Sequence, residues 1–299
     1  MLHSTKAHLA LLGTNIFFAI NYTSVKYLMN NDFVKPFGLN LVRVGICSLL
    51  LWIMYILSPN KGRIERKDYK RFFLCALFGI AINQLLFLKG LSLTYSIHAS
   101  LLMLITPILI TIIAAWLLKE KLTANKAIGL ALGICGAIVL ITARTNSGDG
   151  SSVIVGDLLV IINAVSYTFY FILVKPLMLK YNPVMVIRMV FTIGLVLILP
   201  FCFTQFIAIP WESYTPLAFF NMFLLVIFGT FLAYLFNVYG IKILGASTAG
   251  AYIYSQPVFA AIVAIIFLNE ELSMYKIVAA ALIASGVYLS NKKLANGTV

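Results

Sequence analysis

The sequence predicts an all-α integral membrane protein of ten transmembrane helices in two inverted five-helix repeats. Three observations lead there: an apolar excess too large for a soluble domain, ten stretches of spanning length, and an internal duplication. Of the 299 residues, 62% are apolar and 10% charged, and mean hydropathy is +1.01. A soluble domain carries about a quarter charged and about half apolar residues, and one domain of this size could not hide the remainder from water. A soluble enzyme, a disordered chain and a secreted disulfide scaffold are excluded.

Each span follows from length. A helix needs about 20 mostly apolar residues to cross the hydrocarbon core. The first five run from Ala7 to Leu28, Pro36 to Leu57, Phe72 to Leu91, Ile97 to Leu118 and Ala124 to Ala143. The second five run from Val153 to Val174, Pro183 to Phe203, Leu217 to Val238, Ala246 to Leu268 and Met274 to Ser290. Turn and charge signals such as Ser58-Pro59-Asn60-Lys61-Gly62 and Asn146-Ser147-Gly148-Asp149-Gly150 separate them. Barrel strands alternate over about 10 residues and are ruled out; backbone groups inside lipid must be satisfied within the segment, so the spans are helices. The first span lacks a small-x-small cleavage site and carries Asn15, Asn21 and Lys26, unlike a signal core.

The net charge of +13 would otherwise suggest nucleic acid. With the N-terminus inside, however, fifteen Lys and Arg fall in cytoplasmic segments and four, Lys35, Lys89, Arg144 and Lys276, outside. That bias puts both termini in the cytoplasm and the chain in the inner or plasma membrane. The cluster from Lys61 to Arg71 is then a topology anchor beside anionic lipid, and no nucleic-acid partner is expected.

Sliding the chain by 150 positions aligns Phe73–Leu140 with Phe223–Ser290 without a gap, seventeen of sixty-eight positions being identical. The uncommon matches carry the argument: Phe78-Gly79 with Phe228-Gly229, Gly90 with Gly240, Pro107 with Pro257, Gly136 with Gly286, and Glu120-Lys-Leu-Thr with Glu270-Glu-Leu-Ser. Earlier helices match more loosely, pairing Lys26 with Lys175, Pro36 with Pro183 and Arg43 with Arg188. The repeats cover residues 7–143 and 153–291. Five spans is an odd number, so the copies face opposite ways, as in secondary transporters that hold substrate between their halves.

These motifs, Pro107, Glu120, Leu122, Thr123 and Gly136 and again Pro257, Glu270, Leu272, Ser273 and Gly286, resemble those of the drug/metabolite transporter superfamily, within it the EamA-type permeases. The resemblance spans the chain from about Ala7 to Asn291. It implies export or exchange of small metabolites such as amino acids through a central cavity. Lys119 and Asn269 stand where a glycine is frequent in that family.

Polar side chains inside the spans should face that cavity, because hydrogen-bonding groups are unfavourable against lipid. The candidates are Asn15, Asn21 and Tyr22; Asn83 and Gln84; Tyr167 and Tyr170; Tyr234 and Asn237; and Tyr252 and Gln256. The bland alternative is interhelical glue at about 0.6 kcal/mol per bond. Arg43 lies about 10 Å into its helix and Arg188 about 7 Å; with Lys26 and Lys175 they are candidates for a charged gate, against snorkelling as the alternative. A guanidinium can grip a carboxylate through two hydrogen bonds. Pro107 and Pro257 should loosen the fourth and ninth spans.

No Asp or Glu falls in the middle of a span; Asp157 is expected in the first turn of the sixth, and Glu120 and Glu270 close the fourth and ninth. That argues against a carboxylate-centred proton symporter and leaves facilitated diffusion, exchange, or coupling through groups such as His98. The four cysteines lie inside spans and the three histidines have no metal-binding spacing; no metal or cofactor is expected. The reading is a secondary transporter, an exporter or exchanger of amino acids or related metabolites by alternating access, acting as monomer or homodimer. A gated channel is the alternative. An intramembrane enzyme would need a nucleophile paired with a base, and the midspan pair His98 and Ser100 sits two residues apart, pointing away from each other on a helix.

Overall fold

The computed structural model describes residues 2–58, 62–106, 109, 113, 124–142 and 150–291. Their regular structure is helical, joined by turns and short loops, with no strand among them. Among the described residues, five helices are long and apolar enough to cross a membrane by length and composition alone.

The ends of the helices follow from local chemistry. The first runs Leu2–Asn30 and stops where Asp32 takes a left-handed backbone, φ 56°, letting Phe33 N–H reach back to Leu28 C=O at 3.1 Å. The second, Pro36–Leu57, starts on a proline, whose missing N–H costs nothing in a first turn. Its free N–H groups at Phe37 and Gly38 donate to Gln205 Oε1 of the seventh span at 2.9 and 3.4 Å. The seventh, Pro183–Ile207, also starts on proline and is capped by Asn182, whose side chain accepts from Val184 N–H. The sixth is longer than expected, Gly150–Lys180.

The third and eighth spans share an irregularity. Each begins as an α-helix, Tyr69–Ala76 and Pro216–Phe223, widens into a π-helical stretch, Leu77–Ala81 and Leu224–Leu232, and then returns to α-helix from Ile82 and Ala233. Both stretches carry the repeated Phe-Gly pair. The helix from Ala233 continues to Tyr252, past the break expected between Val238 and Ala246. After a 3-10 turn, Ile253–Ser255, the ninth resumes as Gln256–Leu268. Pro257 therefore lies in a helix's first turn, where a proline is tolerated, and the bend precedes it.

Packing contacts repeat about an approximate dyad. A side chain on Gly79 would strike Tyr170, and one on Gly229 would come within 3.0 Å of Asn21. Gly90 faces Val160 as Gly240 faces Leu11. In each pair the glycine shifts by 150 positions and its neighbour by 149, so these crossings of one repeat have their image in the other. Gln84 and Tyr234, equivalent positions, meet each other directly, which places the dyad between them. The fifth span, Ala124–Thr142, crosses the tenth, Met274–Asn291, on small residues: a Cβ on Gly286 would lie 2.5 Å from Gly129 C=O. Close backbone approach of this kind drives helix association where lipid offers no hydrophobic contrast.

Candidate functional site

A cavity of about 110 Å³ lies on the dyad. Seven spans reach it: the first through Thr14 to Tyr22, the second through Arg43, and the third through Asn83, Gln84 and Phe87. The fourth contributes Met103 and Thr106, the sixth Asn163 and Tyr167, the eighth Tyr234 and Asn237, and the ninth Ile253 and Gln256. Of the candidates named from sequence, Asn15, Asn21, Tyr22, Asn83, Gln84, Tyr167, Tyr234, Asn237, Gln256 and Arg43 line it.

Others lie elsewhere. Tyr170 packs into the notch left by Gly79, and the Tyr252 hydroxyl is 2.8 Å from His8 Nδ1. Arg188 is buried away from the cavity, its guanidinium 4.2 and 3.6 Å from the ring centres of Trp52 and Tyr55. The pairing of Arg43 with Arg188 fails for a geometric reason. Arg43 stands seven residues past its proline and Arg188 five, and two residues rotate a helix by about 200°, so the two cations leave opposite faces. Lys175 is exposed; Lys26 is half-buried and within electrostatic reach of Glu270. Pro107 and Glu120 lie outside the described residues.

Arg43 is the one charged residue lining the cavity among those described. It is 3% exposed, and its Nε donates to Thr230 Oγ1 at 3.1 Å. The π-helical stretch holds that acceptor, since Thr230 Oγ1 donates in turn to Leu225 C=O five residues back at 2.9 Å. Arg43 Nη1 has no partner among the described residues. Facing the same space, Asn21 Oδ1, Gln84 Oε1 and Asn163 Oδ1 are also buried and unpartnered. Two of these amides have fixed orientations. Asn21 Nδ2 donates to Gly229 C=O at 3.3 Å, and Asn163 Nδ2 to Asn83 C=O at 2.7 Å, with Asn83 Nδ2 returning the bond to Asn163 C=O. A carbonyl accepts only, so the amide oxygens must be the free atoms. Buried polar atoms seldom go unpaired; here one cationic donor and three carbonyl acceptors converge on one chamber. Phe18, Phe87, Met103 and Ile253 supply its apolar wall.

Glu270 stands apart from the cavity. Asn269 ends the ninth span in a left-handed conformation, φ 53°, a shape glycine adopts freely and asparagine tolerates. That turn delivers the Glu270 carboxylate to the start of the fourth span, where it accepts from Ser96 N–H at 2.7 Å and Ile97 N–H at 3.1 Å. The repeated glutamate thus caps a helix of the other repeat.

A polar chamber on the dyad of two five-span repeats defines a multi-pass membrane transporter. Comparison with known proteins agrees. The EamA-like transporter family matches over residues 5–142 and 154–292, and the chain belongs to that family. An uncharacterized transporter of Archaeoglobus fulgidus is 25% identical over 288 residues, covering 96% of this chain and 99% of its own. A probable terminal-alkyne amino-acid exporter of Streptantibioticus cattleyicolor is 26% identical over 293 residues, covering 97% of this chain and 94% of its own. A solved crystal structure aligns with TM-score 0.61 at 18% identity, covering 94% of this chain and 95% of that one, which supports the fold.

Proposed function

We propose that this protein is a secondary transporter that exports or exchanges amino acids or closely related zwitterions by alternating access, with both termini in the cytoplasm of the cell that carries it in its inner or plasma membrane. The observation that carries the reading is the pairing of free groups in the cavity. Arg43 offers an unpartnered guanidinium nitrogen, and Asn21, Gln84 and Asn163 offer unpartnered carbonyl oxygens. A carboxylate fits the first and an ammonium the second, while the Phe18, Phe87 and Met103 side takes an apolar substituent. The amino-acid export named for the Streptantibioticus cattleyicolor relative points the same way.

Two near-equivalent halves supply the transport step. Glycine crossings of one half have images in the other, so a bundle open at one end has a counterpart open at the other, with the substrate site on the dyad shared by both. The chain is read as a carrier without catalytic chemistry. Counterflow in proteoliposomes tests this. Vesicles loaded with unlabelled neutral amino acids should concentrate the labelled compound transiently; absence of counterflow for every amino acid and amino-acid analogue with folded protein overturns the proposal.

A further inference from the structure

A second buried polar cluster, remote from the cavity, lies where the third and fourth spans meet. The sequence places Asp157 in the first turn of the sixth span; the structure puts it two turns inside a helix that starts at Gly150, and it is fully buried. Thr94 Oγ1 donates to Asp157 Oδ1. Asp157 Oδ2 is 3.1 Å from Nδ1 of His98, which is 1% exposed. The other ring nitrogen, Nε2, is buried and without a partner among the described residues. Gly156 brings the helices close enough for this contact, since a Cβ there would lie 2.8 Å from Gly90 C=O and from Thr94 N. Thr94 and His98 belong to the first repeat and Asp157 to the second, so the pair bridges a seam that must part when this end opens.

Among the described residues, His98 is the one group able to carry a positive charge that is paired with Asp157. From the ninth span and the loop after it, Glu270 caps the fourth span, and Glu271 lies within electrostatic reach of Lys276. From the tenth, Lys276 donates to Glu271 C=O at 2.6 Å and sits 5.1 Å above the Tyr95 ring. The first span adds Lys26 near Glu270. Tyr95 and Tyr275 flank the imidazole, with ring centres at 5.4 and 6.1 Å. Glu271 is exposed, and Glu270 has Lys26 and Lys276 within electrostatic reach, so the charge left uncompensated is the fully buried Asp157 carboxylate, which is costly in a dry seam. One proton on His98 compensates it. At the other end of the bundle the equivalent crossing joins His8 to the Tyr252 hydroxyl, with no carboxylate in the contact.

We propose that His98 and Asp157 form a proton-binding site filled as this end of the carrier closes, so that closure is coupled to uptake of one proton from the compartment it faces. The proton adds at His98 Nε2, while the Nδ1 hydrogen bond to the Asp157 carboxylate is kept. This rests on the alternating-access reading, whose orientation puts that compartment outside. The proton returns to the same compartment when this end reopens, so it biases which end is closed rather than driving transport.

The test uses the full chain in nanodiscs, with Cys135→Ala to remove the exposed thiol and spin labels at Lys89→Cys and Met274→Cys, exposed positions of opposite repeats at this end. Pulsed electron-spin distances should show the short, closed population rising about threefold from about pH 8 to about pH 5.5, across the range where histidine takes up protons. His98→Gln and Asp157→Asn should each flatten that response. Imidazole nitrogen resonances of the otherwise native protein provide a second reading: the signal lost in His98→Gln should report protonation of Nε2 over the same interval. Distances that ignore pH, or a pH response that survives both substitutions, overturn the proton site. Counterflow measured on the same preparation tells separately whether the carrier reading stands.

Discussion

At the scale of single residues, Arg43 is the group on which recognition turns. Its Nε is committed to Thr230, which aims the remaining nitrogens into the chamber. Hydrogen bonds to charged groups contribute about 1.5–3 kcal/mol, about ten- to a hundredfold in affinity. Arg43→Ala should therefore raise the half-saturation constant for an amino acid by that factor while leaving uptake of a decarboxylated amine much less affected. Arg43→Lys keeps the charge but not the planar fork and should recover only part of the loss. Equal losses for acid and amine would show a structural role alone. Arg188 makes the contrasting case: held between Trp52 and Tyr55, its removal should lower thermal stability without changing which substrates compete.

At the scale of elements, the glycines and the helix cap set how closely the repeats meet. Gly156→Val would push a branched side chain into the backbone at Gly90 and Thr94. Overpacking of this kind costs about 1–3 kcal/mol or more, so the variant should melt earlier in detergent, with Gly156→Ala intermediate; unchanged melting would contradict the crossing. Glu270 places a negative charge on two free N–H groups at the start of the fourth span. A cap of this type contributes about 1 kcal/mol. Glu270→Gln should keep one hydrogen bond and lose the charge, and Glu270→Ala should lose both. The graded loss is read as faster hydrogen exchange at Ser96 and Ile97, and exchange unaltered in both variants would count against the cap.

The elements also mark where sequence reading succeeds and where it stops. Span number, the two repeats and most cavity-lining polar residues were legible, because lipid forces apolar length and inward-facing polarity. The repeated Phe-Gly pairs coincide with the two π-helical stretches, but nothing in one-dimensional spacing distinguishes π from α. Arg188 was paired with Arg43 by order along the chain, and the angular difference of two residues put it on another face. Asp157 was passed over for a related reason: the sixth helix begins earlier than its apolar run, so a carboxylate expected near the membrane surface is buried. His98 is fifty-nine residues away in sequence and could be joined to it only by the crossing at Gly90 and Gly156. The apolar wall of the cavity, Phe18, Met103 and Ile253, carried no signal that separated it from ordinary core.

At the scale of the whole molecule, the contacts come in dyad-related sets: Gly79 with Tyr170 and Gly229 with Asn21, Gly90 with Val160 and Gly240 with Leu11. The substrate site, on the dyad itself, is the part both arrangements share. The two ends differ chemically, one closed by Asp157 with His98 and the other by His8 with Tyr252. Cavity access tests the central claim most directly. A single cysteine at Asn237, on the chamber wall, in oriented vesicles free of other reactive thiols, should be labelled by an impermeant reagent from either side, and saturating substrate should shift the ratio of the two rates. Access from one side only, or labelling from both sides together with steady ion conductance, would contradict a carrier that opens to one compartment at a time.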